Sequence, residues 1–475
     1  MRRISILCAL CALAAGCAPV QSQNAPLPLC GGAPLQIALC EDYPPATRHA
    51  PVVERDLAEM NRLGVRTLRV ALAWDDIESR PGEFDWAFTD LLFDLAAKHH
   101  VELIPYVCYT PKWAALDQGK DYWRQPPSDP ATFGRFMSAA AKRYRGRTRS
   151  WELWNEPDNS DYWLGTAGQY ARLLGAGAAA VRAADPAAKI VLGGISWNEA
   201  FLASVLREPG VASAIDVVNL HSYDETWLPE PMEDLPDHIR RVHDLIARYR
   251  NRQEIWLAEA GYSDYRGRDG AISASDRSKY AYEHTASYQA DALVRMIALA
   301  ASTGDVRLVA WYRINDLPQT TDVIGDVNNR HLGVVDVTGH DKPAAAALKI
   351  IAGAFDGGAA PCDGEVAGCR PLDSVTEVHC FASVDGGVWL FAWIRTYVPG
   401  SLEPGETGSA ADARRAHVEV SLTRAFILRG CIDARGVTQD VAKASLSGGD
   451  TLLDLRLVAG RTYLIQLHAA ASGKG

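Results

Sequence analysis

The amino-acid sequence predicts an α/β protein in which a (β/α)8 barrel is followed by a small C-terminal antiparallel β-sandwich. Between about residues 35 and 355, short apolar runs alternate with longer amphipathic stretches, and the apolar runs number eight. Parallel strands need helical crossovers, and eight of them can close into a barrel. The sandwich is predicted because helical periodicity fades after about residue 360 and strand-like runs replace it.

Each predicted barrel strand is a short apolar run. The runs are Leu35–Cys40, Thr67–Ala73, Val101–Val107, Thr148–Trp154, Lys189–Gly193, Asp216–Leu220, Glu254–Ala258 and Val306–Trp311. The amphipathic stretches predict helices, for example at Val52–Leu63, Phe84–His99, Ala131–Tyr144 and Asp276–Ala301. An open doubly wound sheet is the alternative, and the lack of a glycine-rich phosphate loop after the first strand argues against it.

The remaining segments complete the predicted domain organisation. We expect residues 17–34 to be a linker or an extra strand, residues 35–355 to form the barrel and residues 356–475 to form the sandwich. The clearest strands of the tail are separated by Gly, Pro and Ser turns. They are Gly387–Ile394, His417–Leu422 and Thr462–His468.

The N-terminus has the composition of an export signal. Arg2 and Arg3 precede an apolar run over Ile4–Ala15, which is too short to span a bilayer. The run leads into Cys17 through the sequence LAAGC, which resembles a bacterial lipobox. The resemblance implies a signal peptide over residues 1–16, lipid attachment at Cys17, and a periplasmic protein anchored to the cell envelope, with the outer membrane as the expected site. A plain signal peptide cut nearby is the alternative.

The chain has ten cysteines. Those of the signal peptide are expected to be removed, and Cys17 would carry lipid. Seven would remain, and an odd number leaves at least one unpaired in an oxidising compartment. Cys108 lies in an apolar run and is expected to be a buried free thiol. Spacing does not fix the connectivity of the others, and the expected pairs are Cys30–Cys40, Cys362–Cys369 and Cys380–Cys431.

The composition is that of a globular protein, with 48% hydrophobic and 22% charged residues. The formal net charge is -10 and the sequence has no basic cluster. Binding to nucleic acid requires Lys and Arg to replace counterions, so we expect no nucleic-acid partner. The cysteine spacings are not those of a zinc site. We expect neither a metal nor a cofactor.

Two glutamates stand where predicted strands end. Glu156 follows the fourth strand, directly after Asn155, and Glu259 follows the seventh. Catalytic groups of a (β/α)8 barrel lie at the C-terminal ends of its strands. Two acids so placed suit glycoside hydrolysis, in which one donates a proton to the leaving oxygen and the other attacks the anomeric carbon or activates water. The alternatives are solvated surface glutamates and, for nearby Glu152, an ion pair inside the barrel.

The residues around both glutamates resemble clan A of the glycoside hydrolases. Trp154-Asn155-Glu156-Pro157 is similar to the Asn-Glu-Pro signature of that clan, and Glu259 in the sequence LAEAG resembles its nucleophile position. The resemblance implies a retaining enzyme in which Glu156 is the general acid/base and Glu259 the nucleophile, with Asn155 bound to the sugar 2-hydroxyl. Family 39, which combines a barrel with a β-sandwich, is the nearest family, and families 5 and 30 share these short motifs.

Further segments extend the resemblance over residues 35–355. Arg69 corresponds to the second-strand arginine that supports the nucleophile, His221 and Tyr223 to residues that line the site on strand six, and Trp311 to the tryptophan that floors the subsite of the attacked sugar. Ion pairing inside the barrel is the alternative for Arg69, and a structural role is the alternative for His221. Similar segments also occur at Ile77–Trp86, Tyr109–Ala114 and Gly333–Pro343.

Tryptophans near the strand ends are candidates for stacking on a sugar ring, with core packing as the alternative for each. They are Trp74, Trp113, Trp123, Trp163, Trp227 and Trp311. We include Trp74, Trp113 and Trp311 among the expected substrate-binding residues.

The expected function is that of a retaining glycoside hydrolase acting on a polysaccharide or oligosaccharide. The family resemblance includes enzymes that trim bacterial exopolysaccharide, and the lipobox favours such an envelope-anchored enzyme, expected to be an endo-glycosidase. The alternative is an exo-acting β-xylosidase or other β-glycosidase. The same residues are compatible with a transglycosylase or with a non-catalytic carbohydrate-binding lipoprotein. We expect a monomer whose partners are a carbohydrate and, through Cys17, a membrane.

Overall fold

A computed structural model describes residues 35–228, 230–249, 253–265, 282–355, 359–362, 366–371, 376–382, 387–395, 415–423 and 425–470. Its N-terminal part is a closed barrel of eight parallel strands in sequence order, as predicted. The barrel strands are β1 (Gln36–Glu41), β2 (Thr67–Ala73), β3 (Glu102–Cys108), β4 (Ser150–Leu153), β5 (Lys189–Leu192), β6 (Val217–Ser222), β7 (Glu254–Ala260) and β8 (Val306–Tyr312).

Helices cover the outside of the barrel. Those of the described residues are α1 (Ala50–Leu63), α2 (Trp74–Ile77), α3 (Ala87–Lys98), α4 (Pro130–Arg143), α5 (Ala167–Ala184), α6 (Glu199–Arg207), α7 (Val211–Ala214), α8 (Leu235–Ala247), α9 (Ala286–Ser302) and α10 (Pro343–Phe355). Local sequence sets their ends. Gly64 adopts a left-handed φ of 81° and ends α1. Helix α9 begins later than predicted because the Thr285 hydroxyl accepts the Tyr288 amide as a cap.

The barrel interior and its outer face are filled by alternate residues of the strands. On β1 and β8, Ala38, Cys40, Leu308 and Ala310 belong to the cluster of buried residues inside the barrel. Neighbouring Trp311 belongs instead to the main core between the barrel and its helices. Because side chains alternate along a strand, these memberships predict which residues of the strand ends face the barrel mouth.

The C-terminal part consists of two antiparallel sheets with the orders β10-β13-β16-β15 and β14-β17-β12-β11-β9. Buried residues of both sheets form one hydrophobic cluster. The strands are β9 (Ala360–Pro361), β10 (Val366–Pro371), β11 (Thr376–Ala382), β12 (Gly387–Ile394), β13 (Arg415–Leu422), β14 (Phe426–Asp433), β15 (Ala442–Ser447), β16 (Asp450–Val458) and β17 (Thr462–Ala469).

Buried polar contacts hold these sheets against the barrel. Trp393 donates its indole N–H to Glu233 at 2.9 Å, and Arg295 donates to the Thr462 hydroxyl at 2.8 Å. The Thr462 amide donates to Asp291 at 2.6 Å. Such bonds satisfy buried charges that would otherwise be costly at an interface.

The cysteine positions correct one expected disulfide. Cys380 and Cys431 lie on strands separated by two others in the five-stranded sheet, so about 14 Å of sheet separates them and no bridge is possible. The Cys380 thiol instead lies 2.9 Å from that of Cys362. This contact also argues against the expected Cys362–Cys369 pair, although the Cys369 side chain lies outside the described residues.

Cys40 and Cys108 are buried and form no disulfide within the described residues, which agrees with the expectation for Cys108. Cys30, the expected partner of Cys40, lies outside the described residues, as do Cys17 and the rest of residues 1–34. Among the helices described, none has the length and apolar character that a bilayer crossing requires.

Candidate active site

Glu156 enters the barrel mouth because the chain turns sharply after β4. Trp154 and Glu156 have positive φ angles of 89° and 41°, a conformation that non-glycine residues adopt only when their surroundings enforce it. The carboxylate accepts a hydrogen bond from the Asn159 amide at 2.7 Å and contacts His221 Nδ1 at 2.8 Å. Burial raises the pKa of Glu156 to about 7, while the bond from Asn159 acts in the opposite direction.

Glu259 faces the mouth because of a bulge in β7. Asn219 and His221 of β6 pair with Trp256 and Glu259, so β7 has one extra residue between these pairs. The extra residue reverses the alternation of side chains. Ala258 belongs to the cluster inside the barrel, and the extra residue lets the next side chain, Glu259, face inward as well instead of outward.

Arg69 and Tyr223 stabilise the Glu259 anion against the effect of its burial. Its carboxylate accepts hydrogen bonds from Arg69 at 2.5 Å and from the Tyr223 hydroxyl at 2.6 Å. Burial raises the pKa of Glu259, whereas the positive charge of Arg69 and the bond from Tyr223 lower it. Glu156 has no guanidinium contact of this kind among the described residues. The two buried acids therefore differ in the partners that hold them.

The two carboxylates lie close together. One oxygen of Glu156 and one of Glu259 are within 4.8 Å of each other and of a His221 nitrogen. A separation of about 5–5.5 Å is typical of retaining glycosidases, and inverting enzymes need more room for a water molecule. The geometry therefore suits direct attack on a sugar by one of the two carboxylates.

Arg69 connects the residues around the two glutamates. Its guanidinium donates two hydrogen bonds to Glu152, at 2.8 Å each, and one to Asn155 at 2.8 Å. Arg69 and Glu152 are fully buried. Arg69 therefore supports Glu259, as expected, and also forms the ion pair inside the barrel that was the alternative for it.

His221 is held tightly between a glutamate and a glycine. A Cβ atom on Gly194 would lie 1.8 Å from Nε2 of the imidazole, so only glycine leaves space for the ring. Burial lowers the pKa of His221. The ring is therefore neutral near pH 7, and its contact with Glu156 is a hydrogen bond rather than an ion pair.

Two expected substrate-binding tryptophans lie in the core instead. Trp74 is fully buried, donates to Glu78 at 2.7 Å and contacts Trp113, Phe133 and Phe136. Trp311 is fully buried because the alternation of β8 points it away from the barrel interior. The next aromatic residue along the strand, Tyr312, takes the inward position and is partly exposed. The inward aromatic residue therefore lies one position after the predicted Trp311.

The remaining candidate tryptophans divide by exposure. Trp163 is buried against Trp154. Trp113, Trp123 and Trp227 are partly exposed. The Trp227 ring lies 4.5 Å from that of Tyr223, whose hydroxyl binds Glu259.

Among the residues that the structure describes, two groups of side chains have the spacing of metal ligands. The first is Glu156, His221 and Glu259, and the second is Asp264, Asp316 and His331. In the second group the Lys342 ammonium lies 2.9 Å from Asp264 and 3.1 Å from Asp316. Lys342 therefore already supplies the positive charge that a metal ion would bring to these carboxylates. In the first group Arg69 supplies a positive charge to Glu259.

Comparison with known proteins gives related sequences. Endo-1,4-beta-xylanase 3 from Hypocrea jecorina is 24% identical over 162 residues, which is 32% of this chain and 43% of that protein. The chain thus spans less than half the length of the curated relatives it matches.

Comparison with solved structures gives the same fold. A family 39 glycoside hydrolase from Bacteroides cellulosilyticus WH2 has a TM-score of 0.65 at 17% identity, covering 91% of this chain and 81% of that one. A monomeric beta-xylosidase from Caulobacter crescentus CB15 has a TM-score of 0.61 at 17% identity, covering 93% and 98%.

A family model matches the middle part of the barrel. The model described as Cellulase (glycosyl hydrolase family 5) matches residues 52–295, which is just over half of the chain and includes both glutamates. The predicted membership of clan A is confirmed, with family 39 enzymes among the similar structures. The chain therefore belongs to the cellulase family, glycosyl hydrolase family 5.

Proposed function

We propose that this protein is a retaining glycoside hydrolase that works by double displacement. The observation that carries the proposal is the pair of buried glutamates, within 4.8 Å of each other, whose partners differ. Arg69 and Tyr223 favour the ionised form of Glu259, which suits a nucleophile. Burial favours the protonated form of Glu156, which suits an acid.

In the first step, an oxygen of Glu259 forms a bond to the anomeric carbon while the bond from that carbon to the leaving oxygen breaks. Glu156 gives its proton to the leaving oxygen. In the second step, water loses a proton to Glu156 and attacks the anomeric carbon, and the bond to Glu259 breaks. Over the two steps one water molecule is consumed, Glu156 regains its proton and Glu259 regains its negative charge.

Azide rescue tests the division of roles. A 2,4-dinitrophenyl glycoside needs no acid catalysis, so Glu156→Ala should cleave it and, with azide, release a glycosyl azide of retained configuration. Glu259→Ala should instead give the inverted azide, because azide replaces the missing nucleophile. Glu208→Gln, which changes an exposed glutamate, is the control. Near-wild-type turnover by either alanine variant on a natural glycan would contradict the assignment, as would the same azide anomer from both.

For the substrate, we propose a polysaccharide cleaved internally, with bacterial exopolysaccharide as the target. The proposed lipid anchor supports it, because an enzyme at the envelope meets the polysaccharide that the cell secretes. The second candidate is a β-xylosidase or xylanase activity, which the names of the related xylanase and xylosidase favour. Product mass analysis after digestion of exopolysaccharide, xylan and xylobiose distinguishes the two. Cleavage of xylobiose alone would contradict internal cleavage of exopolysaccharide.

For localisation, we propose export and lipidation at Cys17. The sequence LAAGC after an apolar run supports it. The wild-type protein should partition with the membrane fraction and incorporate labelled palmitate, and Cys17→Ser should do neither. Equal partitioning of the two would contradict the anchor. We further infer that the two C-terminal sheets form a β-sandwich, because residues of both sheets share one buried cluster.

A further inference from the structure

Asp42 is a carboxylate that the proposed mechanism does not use. It follows β1 directly, and Cys40 two residues earlier belongs to the cluster inside the barrel. Alternation along the strand therefore points Asp42 inward, one layer above Cys40, at the mouth. Asp42 is partly exposed, whereas its neighbours Glu41 and Tyr43 are buried. The Asp42 carboxylate therefore extends from the barrel interior into the open space at the barrel mouth.

Two tyrosines fix the orientation of Asp42. The Tyr106 hydroxyl of β3 donates to Oδ1 at 2.7 Å, and the Tyr312 hydroxyl of β8 donates to Oδ2 at 3.1 Å. Strand β2 lies between β1 and β3, and its residue opposite Tyr106 is Ala71. The small side chain of Ala71 leaves room for the bond between Tyr106 and Asp42. A carboxylate has about four lone-pair sites, and the two hydroxyls use one on each oxygen. Acceptor capacity therefore remains on the exposed side.

Asp42 is next to the reacting groups. The Tyr312 ring lies 6.4 Å from the ring of Tyr223, whose hydroxyl binds Glu259. Strands β7, β8 and β1 are neighbours in the barrel, so Glu259, Tyr312 and Asp42 follow one another around the mouth. A sugar whose anomeric carbon is close to Glu259 would extend over Tyr312 toward Asp42.

The charge of Asp42 is not neutralised by a neighbouring side chain. Within the part of the chain that the structure describes, no Lys, Arg or His forms an ion pair with its carboxylate. Arg313 donates only to the main-chain oxygen of Asp42 and pairs with Glu41. An oriented anion with free acceptor capacity attracts hydroxyl donors and repels a second anion.

We propose that Asp42 binds a ring hydroxyl of the attacked sugar and selects neutral sugars against uronic acids. The inference rests on the proposed function, because it places the sugar by the attack of Glu259. Asp42 lies outside the motifs around the two glutamates, so the proposal gives the loop after β1 a role in substrate specificity.

Kinetics on matched substrates test the proposal. The probes are the 4-nitrophenyl β-glycosides of xylose, glucose, mannose, galactose and glucuronic acid. Wild-type enzyme should hydrolyse at least one neutral glycoside and discriminate against the glucuronide. Asp42→Asn should lower kcat/KM for the best neutral glycoside by about 10- to 100-fold, the range for a hydrogen bond to a charged group. The substitution should also reduce the ratio of kcat/KM for the neutral glycoside to kcat/KM for the glucuronide by at least about 10-fold. Asp94→Asn, which changes an exposed carboxylate on α3, should do neither.

Tyr106→Phe gives a second, milder variant. Tyr106 is buried, so the change removes one hydroxyl that orients Asp42 without removing a group that meets the sugar. It should lower kcat/KM by a smaller factor in the same direction. Thermal stabilisation by 1-deoxynojirimycin gives a readout that needs no turnover, and it should be smaller in Asp42→Asn than in wild type.

The outcomes separate the two proposals. If Asp42→Asn keeps wild-type kcat/KM, preference and inhibitor binding while Glu259→Ala is inactive, the role of Asp42 is wrong and the proposed function stands. If the glutamate variants keep wild-type turnover, the proposed function falls. A wild-type enzyme that prefers the glucuronide overturns the specificity inference, as does an Asp42→Asn variant that cleaves the polysaccharide substrate with the wild-type kcat/KM.

Discussion

Asn159 donates its side-chain amide to Glu156 across 2.7 Å, three residues along the loop that follows β4. A donor to a carboxylate stabilises the ionised form, and burial disfavours it. The pKa of Glu156, about 7, reflects the competition between these two effects. The residue assigned as the acid is thus balanced by a neighbour that the Asn-Glu-Pro motif does not include.

Replacing Asn159 should therefore shift the pH profile. In Asn159→Ala the ionised form of Glu156 loses a donor, so its pKa should rise and the alkaline limb of kcat/KM should move to higher pH, by about 0.5–1 unit. The measurement is kcat/KM from pH 4 to 10. Asn61→Ala, whose amide bonds the His99 carbonyl on the outer side of the barrel, is the control. An unchanged or lowered alkaline pKa would show that Asn159 does not tune Glu156.

Removing the charge of Glu156 should stabilise the protein at high pH. The pKa is raised in the folded state from an ordinary value of 4.5 to about 7, so the folded state binds this proton more tightly than the unfolded state. The bound proton contributes fully to the free energy of unfolding below the pKa that Glu156 has in the unfolded state. This contribution is lost as the pH rises through the pKa of Glu156 in the folded state, and its loss costs about 3 kcal/mol.

Glu156→Gln should consequently unfold at a higher temperature than wild type at pH 8, with a smaller difference at pH 4. The measurement is the melting temperature of both proteins at the two pH values. Glu208→Gln should give no pH-dependent difference. A destabilised Glu156→Gln at pH 8 would contradict the burial of an unfavourable charge.

Gly194 should be required for activity because of His221. An added methyl group would lie 1.8 Å from Nε2, so the imidazole must move away from Glu156. Gly194→Ala should lower kcat/KM by at least about 10-fold. Gly175→Ala on α5 is the matched control, since its added methyl meets nothing within 4 Å and should favour the helix by about 0.5–1 kcal/mol. Wild-type kinetics of Gly194→Ala would show that the histidine position is not critical.

Cys362 and Cys380 should form a disulfide in the exported protein. Their sulfur atoms are 2.9 Å apart on the paired strand segments at the edge of one sheet. The bond would close a loop of 18 residues and stabilise the fold by about 3 kcal/mol. Peptide mass analysis without reduction should find this pair, and Cys380→Ser should lower the melting temperature in oxidising buffer only. Alkylation of both thiols in protein isolated from the periplasm would contradict it.

Much of the barrel was predictable from the sequence. Strand β2 has the predicted bounds, and β12 in the tail does too. Strand β4 is shorter than predicted, since the positive φ of Trp154 bends the chain just beyond it. Local alternation cannot reveal such a bend, because no glycine marks it.

The site residues that belong to a sequence motif were predictable, and those whose orientation depends on strand packing were not. The pairing of Arg69 with Glu259 follows the clan resemblance. The bulge before Glu259 and the inward position of Tyr312 depend on how β7 and β8 pair, which the one-dimensional pattern does not contain. The roles of Asp42 and Asn159 were missed because single polar residues in loops are usually solvated. The expected Cys380–Cys431 pair failed because β12 and β17 lie between the strands of the two cysteines in the sheet, an order that the sequence does not reveal.

The two consecutive aromatic residues at the end of β8 have a consequence for other chains of this kind. One residue of the Trp311-Tyr312 pair supports the fold and the next faces the substrate space, so a single-residue deletion upstream in the strand would exchange them. An alignment that matches aromatic with aromatic would score that exchange as conservation. Mutagenesis libraries built from such an alignment would then alter stability where a change of specificity was intended. Counting strand parity from a known inward residue, such as Ala310, avoids the error.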